Sequence, residues 1–227
     1  MQQEKPVLNN NIVIIGKICS ELSFSHQIYG EGFYSFGLEA ARLSDVSDTL
    51  PVTISDRIID KESLLIGTPI KIEGQIRSYN NYIESERKNR LILTVFARDV
   101  EIGLDEDKLK QNPNEVCLNG YICKPPVYRT TPFGREIADV LIAVNRSYNK
   151  SDYIPCIAWG RNARFVSKLV IGENIRVWGR MQSRIYVKKN NEGEAAEKTA
   201  YEVSISKIEN SAGVIREESE DPDKAVL

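Results

Sequence analysis

The chain has a single histidine, His26, in 227 residues. Neither a triad with a histidine base nor a histidine-rich metal site can therefore be assembled within it, and His26 is read as a loop residue. Cysteine is also sparse: Cys19, Cys117, Cys123 and Cys156 form no CxxC pair. Each sits in a β-like apolar run, which predicts reduced core thiols and no zinc or redox centre. The pattern GxxxxGK[ST] is missing, which removes the phosphate loop of nucleotide-hydrolysing enzymes. No cofactor is expected, and the protein is read as not an enzyme. Long apolar runs are lacking too. The stretches 11–15 and 91–96 fall far short of the roughly 20 residues that span a bilayer, so no membrane association is expected. Residues 1–6, Met-Gln-Gln-Glu-Lys-Pro, lack the basic and then apolar regions of a secretory signal. The expectation is a cytoplasmic protein.

What the sequence does contain is a copy of itself. At an offset of 104, residues 12–57 align with 116–161 without a gap. Gly16, Ile18, Cys19, Gly30, Arg42, Asp48, Pro51 and Arg57 fall on Gly120, Ile122, Cys123, Gly134, Arg146, Asp152, Pro155 and Arg161. One inserted residue then brings Gly67 and Gly74 onto Gly172 and Gly179. Two copies at so long a period indicate a domain duplication rather than a solenoid.

In the second copy, alternating apolar residues predict strands at 115–123, 135–146, 153–159, 174–188 and 199–209. Phe165, Val166 and Leu169 give helical spacing over 161–169 before Gly172. Five strands with a short helix between the third and fourth are the order of an oligonucleotide-binding (OB) barrel. The fold expected is therefore all-β. It comprises two tandem OB barrels at 1–104 and 115–209, a charged linker at 105–114 and a disordered acidic tail at 210–227.

The formal net charge of −2 conceals a strong segregation. Residues 115–189 carry 13 Lys and Arg against 5 Asp and Glu, whereas 190–227 carry 4 against 10. A basic block followed by an acidic tail places a polyanion site in the second copy, with the tail competing for it or recruiting partners. In the same block, Tyr148, Tyr153, Trp159 and Tyr186 alternate with Arg146, Arg161, Arg164, Arg180 and Arg184. Strand parity puts Arg180, Arg184 and Tyr186 on one surface and Val177, Met181 and Ile185 in the core. Cations for phosphates and rings for bases are the two things a single-strand groove needs. Trp178 shares the outward parity of Arg176 and Arg180, which leaves open a base stack or a subunit contact.

The segments Pro126-Val-Tyr-Arg-Thr-Thr-Pro-Phe-Gly134, Ala143-Val-Asn-Arg146, Tyr153-Ile-Pro-Cys-Ile-Ala-Trp-Gly-Arg161 and Gly179-Arg-Met-Gln-Ser-Arg184 resemble bacterial single-stranded DNA-binding proteins along nearly the whole second barrel. The resemblance implies non-specific single-stranded DNA binding in replication, recombination and repair, in the bacterial cytoplasm at the nucleoid. It implies Tyr148, Tyr153, Trp159 and Tyr186 as stackers and Arg129, Arg146, Arg161 and Arg184 on the backbone, to which charge and parity add Arg164 and Arg180. It also implies a homodimer supplying four OB folds, and replication or repair proteins as partners of the tail.

The first copy departs from this pattern. Ser44, Thr49 and Ser55 replace the first three stackers and Asn81 the fourth, leaving Arg42, Arg57, Arg77, Tyr79 and Tyr82 as an accessory surface. The competing reading is a primosome-type OB module in which this copy serves assembly or a protein partner. Stacking and phosphate contacts alone do not separate DNA from RNA.

Overall fold

The computed structural model describes residues 9–42, 44, 46–83, 88–111, 113–189 and 195–210, and these are mainly β. The first half runs β1 (Asn10–Ile18), β2 (Ser23–Ile28), β3 (Glu31–Ala41), β4 (Ser47–Ser55), a 3-10 turn (Lys61–Ser63), β5 (Pro69–Ile83) and β6 (Lys88–Ile102). After α1 (Glu106–Gln111) the second half repeats the order. It comprises β7 (Asn114–Ile122), β8 (Val127–Thr130), β9 (Glu136–Arg146), β10 (Lys150–Trp159), α2 (Arg161–Val166), β11 (Asn174–Lys189) and β12 (Ala195–Asn210).

In each half five strands close on themselves. β1 pairs with β3 and β5, β3 with β4, β4 with β6 in parallel, and β6 with β5. β7, β9, β10, β12 and β11 form the same circuit. Period-2 patterning drives it: in β9, Val140, Ile142 and Val144 are buried between half-buried Asp139, Leu141 and Ala143. The circuit closes tightly at Gly16 and Gly120, where a Cβ would lie 2.4 Å and 2.5 Å from the carbonyl oxygens of Glu39 and Ala143.

Several expectations change. Each half has a sixth strand, β2 or β8, paired with β3 or β9 and wholly exposed, so the helical segment follows the fourth strand rather than the third. In the first half that segment is only the 3-10 turn. The linker 105–114 contains α1, and Asn114 already belongs to β7. His26 lies in β2, its ring stacked on Phe33 with centroids 4.7 Å apart. All four cysteines are free, but Cys19 is exposed and Cys117 and Cys123 are half-buried, so Cys156 alone is a core thiol. Burial pushes the Cys156 thiol far above its ordinary pKa and leaves it inert. Among the described residues there is no metal-holding cluster, and no helix is long and apolar enough to cross a membrane.

The two halves meet along an antiparallel seam of β1 with β7, which fuses both circuits into one sheet of 12 strands. Ile12 pairs with Val116, its own counterpart in the repeat, so a local twofold axis passes through that pair. Side chains obey the same axis. The Asn10 side-chain amide donates its Nδ2–H to the Ile76 carbonyl at 2.7 Å and accepts the Ile76 N–H at its Oδ1 at 2.9 Å, and Asn114 makes the matching pair with Met181, at 2.8 Å and 2.9 Å. Buried Asp48 accepts from the Ser183 amide at 2.7 Å and the Ser183 hydroxyl at 2.9 Å, and pairs with Arg42 and Arg180. Buried Asp152 accepts from the Ser78 amide at 2.9 Å and pairs with Arg77 and Arg146. Each half thus holds the long β-hairpin of the other through a buried carboxylate.

Burial raises the Asp48 carboxyl, but hydrogen bonds from Arg42 and Ser183 outweigh it and hold the group below its ordinary value. A carboxyl depressed in the folded state contributes stability above its unfolded pKa of about 3.9, and the contribution is lost as pH falls through the folded value. Asp48→Asn is therefore expected to flatten the acid limb of thermal stability below about pH 4. Melting curves between neutral and acid pH check this, and an unaltered acid limb would refute it.

Candidate nucleic-acid interface

The four aromatic candidates lie on the outside of the second half. Tyr148 stands at the β9–β10 turn rather than in a strand, 94% exposed, with a left-handed backbone (φ 62°) that a bulky residue seldom adopts. β10 then presents Tyr153 and Trp159 outward, six residues apart on one face, with Ile154, Cys156 and Ala158 buried on the other. The Trp159 indole N–H donates to the Ser204 hydroxyl at 3.2 Å, which fixes the ring edge and leaves it 37% exposed.

Tyr186 projects from the arm formed by β11 and β12, with the Arg184 guanidinium 5.8 Å from its ring centre. Ile185 is 67% exposed rather than core, because the two strands run on past the closed circuit and no core lies beneath them. Val177 and Met181, nearer the closed circuit, are buried as expected. Trp178 is half-buried, with the Lys207 ammonium 4.5 Å from its ring centre.

The arginines divide by partner. Arg146 and Arg180 are committed to the buried carboxylates of Asp152 and Asp48, which gives them a part in joining the halves that sequence parity did not reveal. Arg42 and Arg77 of the first half are held by the same two groups. Arg129 forks onto Asp139 and Arg164 pairs with Glu136, both at the surface; exposed pairs of this kind are worth about 1 kcal/mol or less and yield readily to a competing anion. Arg184 lies 3.7 Å from Glu202. Arg161 opens α2 at the surface and makes no ion pair among the described residues.

In the first half Ser44, Thr49 and Asn81 are exposed, Ser55 is buried against Glu31, and Arg57 pairs with Glu31 at the surface. Tyr79 and Tyr82 are exposed on the β5–β6 arm.

Two exposed rings escape a strand-based reading. Phe133, 92% exposed, and Tyr29 stand at the β8–β9 and β2–β3 turns, each followed by a glycine with positive φ. They are repeat equivalents, and the aromatic-glycine pair at matching turns is the signal that marks them.

Comparison with known proteins finds relatives of the chain in sequence and in fold. A model of the single-strand binding protein family matches residues 113–211. Single-stranded DNA-binding protein 1 of Staphylococcus aureus (strain COL) is 40% identical over 87 residues, covering 35% of this chain and 51% of that protein. Single-stranded DNA-binding protein B of Bacillus subtilis (strain 168) is 36% identical over 87 residues, covering 35% of this chain and 75% of its own length. The chain thus spans about half the length of the Staphylococcus relative. The crystal structure of wild-type single-stranded DNA binding protein from Thermus aquaticus superposes with a TM-score of 0.70 over 88% of this chain and 92% of that one. At 20% identity that likeness is one of fold, and it covers both halves. With the family model matched to residues 113–211 and a relative of that family 36% identical over 75% of its own length, the chain belongs to the single-strand binding protein family.

Proposed function

We propose that the chain binds single-stranded DNA without sequence preference and has no catalytic activity. In this reading the two closed circuits are OB barrels, one domain within residues 1–104 and the other within 115–209. The observation that carries it is the ring array of the second half: Tyr148, Tyr153, Trp159 and Tyr186 all show surface to solvent or to a groove, while their counterparts Ser44, Thr49, Ser55 and Asn81 carry no ring. A base of any kind stacks on such faces, while Arg161, Arg184 and the displaceable Arg129 and Arg164 meet the phosphates. The first half then guides the strand weakly, through Tyr79, Tyr82 and Arg57. Two chains assemble into a particle of four barrels, and the protein serves replication, recombination and repair. Of the acidic tail expected at 210–227, Asn210 instead ends β12 and 211–227 lie outside the described residues; that tail is the docking element for partner proteins.

Titration with a long oligothymidylate at several salt concentrations, read by tryptophan emission, tests this. Both tryptophans, Trp159 and Trp178, are in the second half. The expected result is strong quenching, steep loss of affinity with salt and far weaker binding to duplex DNA. No binding at low salt would overturn the proposal and favour the protein-interaction module.

A further inference from the structure

A groove of about 480 Å³ runs between the halves, within the ~300–1,000 Å³ range of small-ligand clefts. The second half lines one side with Lys124, Pro155, Arg184 and Tyr186, and the first half lines the other with Arg90 to Leu93 of β6. Two of these, Arg184 and Tyr186, are the phosphate contact and the stacker of the proposed function. Pro155 lies on the β10 strand between Tyr153 and Trp159.

The groove's two carboxylates are already answered. Asp139 is paired with Arg129 at 2.8 Å, and Glu202 accepts from the Gln182 amide at 2.9 Å beside Arg184. Arg90 donates one N–H to the Thr199 carbonyl at 3.1 Å, which lays it along the arm of the second half, and neither it nor Lys124 makes an ion pair among the described residues. A path for a polyanion therefore has cations from both halves and a ring on one wall.

The first half also sets where that ring stands. Ser183, the residue before Arg184, is gripped through both its amide and its hydroxyl by Asp48, and Arg180 is anchored to the same carboxylate. These contacts lie where the arm leaves the barrel, so they fix the direction in which Arg184 and Tyr186 emerge.

We propose that this groove is a composite single-strand site, in which the first half supplies Arg90 as a phosphate contact and Asp48 as the residue that positions the arm carrying Arg184 and Tyr186. The inference rests on the reading that the second half binds single strands. It gives the first half, whose counterparts of the four rings are Ser44, Thr49, Ser55 and Asn81, a direct part in the same site.

The test uses full-length chain and oligothymidylate, with binding by the wild type as the first arm. Failure there refutes single-strand binding itself, and the variants are compared only when it succeeds. Arg90→Ala is expected to bind severalfold more weakly than wild type, with the salt slope reduced by about 0.7, one phosphate contact on a single strand. Lys17→Ala, an equal charge change at the exposed residue of β1 outside the groove, leaves both unchanged. For Asp48 the readout is a double-mutant cycle: the loss caused by Tyr186→Ala is expected to shrink in an Asp48→Asn background, because a misdirected ring has less to lose. Arg90→Ala behaving like Lys17→Ala, or a Tyr186→Ala loss that is the same in both backgrounds, overturns the proposal. Arg90 is exposed, so its variant stays informative even if Asp48→Asn proves unstable.

Discussion

Replacing Trp159 with alanine is expected to weaken oligothymidylate binding by roughly 5- to 150-fold, the range that corresponds to about 1–3 kcal/mol for one stacked base. The ring is well placed to deliver a loss of that size. Its N–H is already satisfied by Ser204, so stacking a base requires no new polar contact at the edge. Its outward position on a strand paired on both sides, to β9 and to β12, means that the ring is presented with little freedom to lose on binding. Because no phosphate contact is removed, the salt slope should stay at its wild-type value while the affinity falls. That separates Trp159→Ala from an arginine variant, in which slope and affinity fall together. Trp178 survives in the variant, with Lys207 over its ring, and its residual emission gives a baseline for the quenching that Trp159 contributes. Unchanged affinity would remove Trp159 from the site.

Substituting Gly179 with alanine is expected to be the most damaging single-methyl change to the fold. Gly179 lies at the register shift in the β11–β12 ladder, and a Cβ there would meet the Ser204 carbonyl oxygen at 2.1 Å, its carbon at 2.9 Å and the Ile205 Cα at 3.1 Å. All three are backbone atoms, so no flexible side chain can yield. Relief would have to come from parting two strands of the closed circuit. Overpacking ordinarily costs about 1–3 kcal/mol, and a clash with backbone at a bulge belongs at or above the top of that range. Denaturant unfolding should show a clear drop in midpoint, while a wild-type midpoint would mean that the bulge relaxes freely. Gly74 stands at the matching bulge of the first half, 2.3 Å from the Phe96 carbonyl oxygen on the same construction.

The regular part of the closed circuit was legible because its strands alternate. The predicted segments 115–123, 135–146, 153–159, 174–188 and 199–209 fall on β7, β9, β10, β11 and β12 within a few residues, and the 104-residue offset reappears as the Ile12–Val116 pairing. β2 and β8 were missed for the same physical reason: both faces are exposed, so no apolar period marks them. Ile185 shows the limit of parity, which says which side a residue takes but not whether a core exists on that side. The ion pair of Arg180 across the seam was out of reach because Asp48 lies 132 residues away in sequence. From the sequence, an arginine waiting for a phosphate and one already paired to a distant carboxylate look alike.

The seam through Ile12 and Val116 has an evolutionary consequence. In a dimer of identical chains every substitution appears on both sides of the axis, so a change that helps one partner but harms the other has no net route to persist. Here the two sides are encoded separately and tethered, so their pairing is intramolecular and dilution cannot part them. A mutation can then fall on one side alone: both halves carry the aspartate and asparagine contacts of the seam, while the counterparts of the four rings in the first half are Ser44, Thr49, Ser55 and Asn81.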